Sequence, residues 1–337
     1  MIRPTRRALL AALPALHFAT PRAQAASLPT EIPRGTRLTI GDPVIQKALE
    51  FSGAVRELPF TPRFANISGG PRTLEAFRAR ALDLGSVADI PPIHATWTGL
   101  DIRIIAVRFR QDWRAHPVYR IATAPRSGIA TLADLCGKRI AYSPGQAQGV
   151  LVLRLLRDQG LGRRDVSLVE LPSTGDVYPN ALASNLVDAA PVSGTNLFRY
   201  IENFSRDGAR ALDHGLRDDP AFLYAPRAVL DDPARAAAAA SYVQAWARAR
   251  RWVEANPAQW IDRYHVRDQG LTLADGQAIH AGEGVADIPA DWTDAIARQQ
   301  DTIDLMAEEM GQPRFDAATI FDRRFEPLAA AAVAVRG

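Results

Sequence analysis

Six short stretches hold the residues that could do chemistry: Asp42, Ser68-Gly69-Gly70, Asp89-Ile90, Gly145-Gln146-Ala147, Ser173-Thr174-Gly175-Asp176 and Ser193-Gly194-Thr195-Asn196. They offer hydroxyls, amides, carboxylates and open backbone, and no histidine. This inventory suits hydrogen bonding better than proton transfer or nucleophilic attack. Gly69 and Gly70 precede Pro71, and proline at the first helical position is pre-set in φ and lacks an N–H that would go unpaired. Free N–H groups at a helix start, with the helix dipole, favour an anion. Taken singly, each stretch is ordinary turn and capping chemistry.

Other chemistries find little support. Cys136 is the one cysteine. It provides no disulfide framework or cysteine-based metal site, and its place after a helical turn reads as inert packing. His94, His116, His214, His265 and His280 are scattered without metal-ligand spacing, and His94 is expected to be buried or edge-packed on an apolar helix. No glycine-rich phosphate loop occurs, so neither a nucleotide nor any other cofactor is indicated.

The elements that must carry these stretches alternate between strand and helix. Arg37–Gly41 reads as a strand ending at Asp42, followed by a helix over Pro43–Phe51. Phe60–Ile67 reads as a second strand. Leu74, Phe77, Ala81 and Leu82 form one apolar stripe of a short helix. Leu82–Val87 and Ile102–Val107 read as strands around a Pro91–Thr98 helix. Further strands fall at Val118–Ala124, Gly137–Tyr142, Val166–Leu171, Val187–Val192 and Phe222–Ala225. Helices are expected from Ala147 to about Gln159, from Asp176 to Asn185 and over Leu197–Phe204. The remainder reads as helical, with segments at Pro233–Asn256, Gln259–Tyr264, Thr272–His280 and Asp291–Met310. Trp246, Trp252, Trp260 and Trp292 sit there as core or lobe-packing residues. This alternation predicts parallel sheets covered on both faces. Ligands of such sheets bind outside the carboxyl ends of the strands, where the six stretches fall.

Gly69-Gly70-Pro71, Leu74-Glu75-Ala76-Phe77, Ala81-Leu82-Asp83-Leu84-Gly85-Ser86 and Asp89-Ile90-Pro91-Pro92-Ile93 resemble motifs of the periplasmic substrate-binding proteins of ABC importers for aliphatic sulfonates, taurine and nitrate. Thr131–Tyr142 resembles a second motif of that family. The resemblance runs from about residue 36 to about residue 326. It implies an α/β, two-lobe periplasmic-binding-protein fold of type II, each lobe a doubly wound, mainly parallel sheet with helices on both faces. It also implies one lobe over 36–118 plus 225–326, a second over 119–224, and crossings near Val118 and Phe222. The six stretches then become a ligand-binding cleft formed by Asp42, Ser68, Gly69, Gly70, Asp89, Ile90, Gly145, Gln146, Ala147, Ser193, Gly194, Thr195 and Asn196. The implied partners are a small, anionic, sulfonate-like molecule and an inner-membrane ABC permease, with the protein acting as a monomer and not as an enzyme.

The sequence departs from the family in two loops. Gly145-Gln146-Ala147-Gln148 stands where the sulfonate binders carry paired hydroxyls, and Ser193-Gly194-Thr195-Asn196 stands where they often carry Trp-Asp-Pro-Tyr. Loss of the tryptophan predicts an enlarged or reshaped pocket. The scaffold also hosts desulfinases, which use a cysteine nucleophile and an Arg-x-Gly-Gly motif; Ile67 occupies the place of that arginine. An enzyme of that kind and a solute sensor are the alternatives.

Residues 1–25 resemble an export signal: Arg3, Arg6 and Arg7, an apolar run over Ala8–Ala19, then Ala23-Gln24-Ala25 before a cleavage point at Ala26. The adjacent arginines fit a twin-arginine or an ordinary secretory route. The expected location is the periplasm. That segment carries four arginines and no acid, so the 40 basic and 37 acidic residues become 36 and 37 after it, a net charge of −1. The basic balance of the whole chain is therefore no argument for nucleic acid.

Overall fold

A computed structural model describes residues 27–334. The expected signal segment lies outside the described residues. Eleven strands are described: β1 Arg37–Gly41, β2 Thr61–Phe64, β3 Leu84–Ala88, β4 Ile102–Arg110, β5 Tyr119–Thr123, β6 Arg139–Tyr142, β7 Ser167–Glu170, β8 Ala189–Ser193, β9 Ala211–Leu212, β10 Ala221–Pro226 and β11 Ala286–Asp287. They form a six-stranded sheet in the order β2-β1-β3-β10-β4-β11 and a five-stranded sheet in the order β7-β6-β8-β5-β9. In the first sheet β1, β2 and β3 are parallel, and β10 runs antiparallel between β3 and β4. In the second, β6, β7 and β8 are parallel and β5 runs against β8. The two expected crossings are thus the strands that enter each sheet against its general direction. The fold class is the two-lobe α/β architecture expected from the sequence.

The chain passes between sheets through residues 111–118 and 213–220. Two adjacent carboxylates tie these crossings together. Asp218 accepts the backbone N–H of Val118 at 3.0 Å and of Tyr119 at 2.7 Å, and lies 3.2 Å from His214 Nε2. Asp219 accepts the Arg110 N–H at 2.6 Å and two bonds from the Arg217 guanidinium at 2.9 and 2.8 Å. Asp219 and His214 are buried, so these bonds work where water competes least.

Helix starts follow their capping residues. Asp42 Oδ1 accepts from Ile45 N ahead of Pro43–Ser52, Asp232 caps Pro233–Ala255, and Thr131 and Asp134 form a reciprocal capping box around Leu132–Leu135. The second strand stops at Phe64 instead of Ile67, because Ile67 N bonds back to Ala65 O at 2.7 Å and turns the chain out of the ladder. The segment expected as a helix over Gln259–Tyr264 is a short helix, Pro257–Trp260, continued by a π-helix over Ile261–Asp268. Its wider turn packs buried His265 against Gly276, where an added Cβ would stand 2.9 Å from the His265 Cβ. The two-residue strands β9 and β11 are too short for a period to show in the sequence. Trp246, Trp260 and Trp292 are buried core residues. Cys136 is exposed, in contrast to the packing role expected for it.

An apolar cluster links the two lobes. Ile90 and Ile93, from the Ile90–Trp97 helix, and Ile303 and Met306, from the Thr293–Met310 helix, pack with Val150, Leu153 and Leu156 of the Ala147–Asp158 helix.

The loop at Gly69-Gly70 is anchored from the core side. Thr73 Oγ1 lies 3.0 Å from Gly69 O, 2.9 Å from Gly70 O and 2.8 Å from Tyr224 OH, with Thr73 and Tyr224 both fully buried. Thr73 therefore donates to the loop carbonyls and accepts from Tyr224. Tyr224→Phe removes a donor and leaves the Thr73 hydroxyl satisfied. Thr73→Val strands the tyrosine hydroxyl and frees the loop. Urea unfolding should show a loss of about 1–3 kcal/mol for Thr73→Val and clearly less for Tyr224→Phe. Equal losses would contradict this anchoring.

Candidate functional site

Strand register places one set of polar side chains on a single face at the carboxyl edge of the six-stranded sheet. Ser86, Leu223 and Ala106 stand opposite one another across three strands, and so do Ala88, Ala221 and Arg108. Directly opposed residues share a face, and residues two apart on a strand return to it. Ser86, Arg108 and Arg110 are therefore on one side. Asp42 follows the Gly41–Gly85 pair and stands level with Ser86. The Pro233–Ala255 helix contributes Tyr242, Trp246 and Arg250 at a spacing of four, one stripe of that helix.

These groups lie within electrostatic reach of one another; Arg110 Nη1 donates to the carbonyls of His116, Pro117 and Gly282 at 2.6, 3.1 and 3.1 Å, but much of the rest is unpartnered. Among the described residues, Asp42 Oδ2, Arg108 Nε, Arg110 Nε, Arg250 Nε, Tyr242 OH and Trp246 Nε1 are enclosed without a hydrogen bond. Burial raises the Asp42 pKa above its ordinary 3.8, against the opposing pull of Arg250. Ser86 and Trp246 lie near its carboxylate, short of hydrogen-bond geometry. Burial, then the neighbouring charges of Arg250 and Arg110, push Arg108 down to about 9. A guanidinium does not give up its proton in a protein, so Arg108 stays charged in a buried setting that disfavours its charge. Arg110 is depressed in the same way by burial, with Asp218, Glu283 and Asp219 working against it. None of Arg108, Arg110 and Arg250 has a carboxylate within ion-pair distance among the described residues.

The five-stranded lobe brings its own donors. Tyr119 begins β5 opposite Ser193. Tyr178 is buried in the Val177–Ala183 helix close to Ser143 and Tyr119, and its hydroxyl has no partner. Burial raises the pKa of Tyr119 and of Tyr178, keeping both as neutral donors; Tyr119 also feels Asp218, Asp89 and Arg110. Ser173 Oγ is likewise enclosed and unpartnered. Tyr119 thus joins the two sets of groups across the gap between the lobes.

The loops named from the sequence fall into several places. Ser68 and Gly69 are exposed, whereas Gly70 is buried against Pro91, whose Cγ would lie 2.6 Å from any Cβ at that position. Gly70 is therefore small to admit a neighbouring side chain, with no ligand needed to explain it. Gly145 turns with φ of +77° and abuts the His94 ring, 2.6 Å from an added Cβ. It meets the helix behind Asp89. Gln146 precedes the Ala147–Asp158 helix without a side-chain cap, and Ala147 is its first residue. Ser193 and Gly194 line a cavity of about 360 Å³ with Arg110 and Glu283. Thr195 is half-buried in the first turn of Gly194–Phe204, and Asn196 Nδ2 donates to Gly175 O at 2.8 Å.

Asp89 and Ile90 point elsewhere. The Asp89 carboxylate accepts from Arg154 at 3.3 Å and from Thr302 at 3.4 Å, and Gln299 donates to the Asp89 carbonyl at 2.8 Å. Arg154 also bonds Thr302. These residues line a different cavity of about 260 Å³ beside the second crossing. Ile90 is fully buried in the inter-lobe apolar cluster, so only its backbone is left for a ligand.

Sequence reading missed Arg108, Arg110, Arg250, Tyr242 and Tyr119, and it assigned Trp246 to packing alone. One signal was available. Arg108 and Arg110 alternate with Val107 and Phe109 at the end of an apolar strand, and charge on a covered face requires a reason. Arg250 is masked by neighbouring arginines at 248 and 251.

Residues 72–258 match the model of the family described as NMT1/THI5 like. The chain belongs to the NMT1/THI5-like family. A relative from Escherichia coli (strain K12), named as an aliphatic sulfonates-binding protein, is 38% identical over 97 residues, a stretch covering 29% of this chain and 29% of that relative. The structure also resembles that of the periplasmic aliphatic sulphonate-binding protein of Escherichia coli, with a TM-score of 0.71, 24% identity, and coverage of 86% of this chain and 92% of the other. The alkanesulfonate-binding protein of Xanthomonas axonopodis pv. citri gives 0.68 and 23%, over 89% and 98% of the two chains. These likenesses carry the fold, that of periplasmic binding proteins.

Within this NMT1/THI5-like chain the titration of Asp42 can be read from stability. Its folded pKa is raised, so its contribution is full below the ordinary 3.8 and is lost as pH rises through the raised value. Asparagine caps a helix as well as aspartate does. Asp42→Asn should therefore raise the melting temperature at about pH 7, and the gain should shrink toward about pH 4. A destabilised variant at neutral pH would show that the carboxylate is held charged.

Proposed function

We propose that this protein is the periplasmic solute-binding component of an ABC importer, and that it captures a small, sulfonate-like oxyanion in the cleft between its lobes. The lobes are taken as 36–118 plus 225–326 and 119–224. Delivery is to an inner-membrane permease, by a monomer, after the lobes close on the ligand. The observation that carries this reading is the excess of enclosed donors: Arg108, Arg250, Tyr242 and Trp246 from one lobe, Tyr178 and Ser173 from the other. An unpaired buried donor costs the fold about 1–3 kcal/mol. An acceptor-only ligand with several oxygens would repay many of them together. The family match and the likeness to sulfonate-binding structures support the same class of solute.

The site residues proposed from the sequence keep a role mainly through Asp42, Ser193, Gly194 and Thr195. Ser68, Gly69, Gly70, Gly145, Gln146, Ala147 and Asn196 would shape the loops around the cleft. Asp89 and Ile90 would act in inter-lobe packing. Binding without turnover fits the placement of Cys136, which is exposed at the end of the Leu132–Leu135 turn.

Arg108 gives the reading two linked outcomes. Arg108→Gln removes a buried positive charge that lacks a counterion, so the ligand-free protein should melt no lower than wild type. Binding of methanesulfonate, followed by calorimetry, should weaken by about 2–5 kcal/mol. Retained affinity would refute the anion site. Cys136→Ala should leave that affinity unchanged and shift stability by less than about 0.5 kcal/mol. Loss of binding on that change, with the fold intact, would return the enzyme alternative.

A further inference from the structure

The 360 Å³ cavity extends the proposed anion site away from its charged end. Arg110 lines it and is electrostatically coupled to Arg250, and Arg108 is coupled to both. The anion cluster and the cavity therefore share a boundary. Beyond Arg110 the lining changes character. Pro117 and Val118 come from the first crossing, Leu197 and Phe198 from the Gly194–Phe204 helix, and Ile279 from the Leu273–Glu283 helix. Ser193 and Gly194 occupy one side with no bulky side chain.

Phe198 is 43% exposed at this cavity. A large aromatic side chain left this open is an unfilled apolar surface. The polar groups at the cavity are few. Arg120 is paired with Asp213 at 2.9 Å. Glu283 lies at the Arg110 end, where it partly balances the arginine charges.

Volume decides what fits. A cavity of about 150 Å³ with apolar walls accepts a benzene ring. This one is more than twice that size, so a one- or two-carbon substituent would leave most of it to water. We propose that this chain selects oxyanions with a ring-sized apolar body, the ring lodged between Phe198, Leu197 and Ile279 and the anionic group held by the arginines. The proposal rests on the anion reading of the same cleft. It assigns to Phe198 and Ile279 the choice among anions that the arginines would otherwise hold alike.

Calorimetric titration of the chain from Ala26 onward with benzenesulfonate and with methanesulfonate tests both levels. Benzenesulfonate should bind the wild type on the order of tenfold or more tightly than methanesulfonate. Phe198→Ala should remove most of that preference and leave methanesulfonate affinity unchanged. Leu197→Trp, which fills the cavity, should do the same by exclusion. Equal affinity of the wild type for the two anions would overturn the ring subsite and leave the anion site standing. So would a uniform loss for both anions in Phe198→Ala. Failure of both anions to bind, in a folded wild type, would overturn the anion reading and this proposal with it.

Discussion

Two neighbouring carboxylates, Asp218 and Asp219, tie the two connections between the lobes together by hydrogen bonds. Asp218 takes the amides of Val118 and Tyr119 from the opposite crossing, and Asp219 takes the amide of Arg110. Tyr119 and Arg110 are the first and last residues of the strands they belong to. The same bonds that join the crossings therefore fix where the Tyr119 hydroxyl and the Arg110 guanidinium begin. An acidic pair in the connecting chain thus sets the geometry of a cationic site that it does not line. The backbone N–H groups it satisfies would otherwise be unpaired at a point where no strand partner is available.

Charge inside the six-stranded lobe is arranged against ordinary stability. Arg108, Arg110 and Arg250 lie near one another, while the acidic groups that act on them, Asp42, Asp218, Asp219 and Glu283, stop short of ion-pair contact. Structural ion pairs elsewhere in the chain behave differently. Arg139 and Asp188 meet through two side-chain bonds at 3.1 and 2.7 Å, and Arg324 and Asp322 close to 2.6 Å. The fold can pair its charges closely where pairing serves it. Leaving three arginines without a carboxylate partner among the described residues, beside enclosed hydroxyl and indole donors that have no hydrogen bond, is a state that a purely structural core would eliminate.

The order of strands and helices was legible because alternation, capping residues and prolines all act locally. Asp42, Thr131 and Asp232 mark helix starts by their own side chains, and the long apolar run of β4 has only one sensible reading. The site was less legible. Glycine and hydroxyl loops advertise themselves in a sequence, yet Gly70 is small because Pro91 packs on it, and Asp89 is turned toward Arg154. The enclosed donors come from Arg108 and from Tyr242, Trp246 and Arg250, which lie far from it in the chain and are brought to it only by the sheet and one returning helix. Their convergence depends on strand register and on which face that helix covers, and neither is encoded within a single window of residues.

The apolar cluster that joins Ile90, Ile93, Ile303 and Met306 to the Ala147–Asp158 helix has a mechanical consequence. Each large side chain uncovered there would cost about 1.5–3 kcal/mol. Parting the lobes evenly would uncover all four at once, at a cost comparable to the whole stability of a domain. A rotation about that seam would keep them covered, and the contact between the Gly194–Phe204 and Leu273–Glu283 helices beside the cavity is one that such a turn could loosen without uncovering the cluster. A shared apolar seam of this kind would act as a spine rather than as a latch.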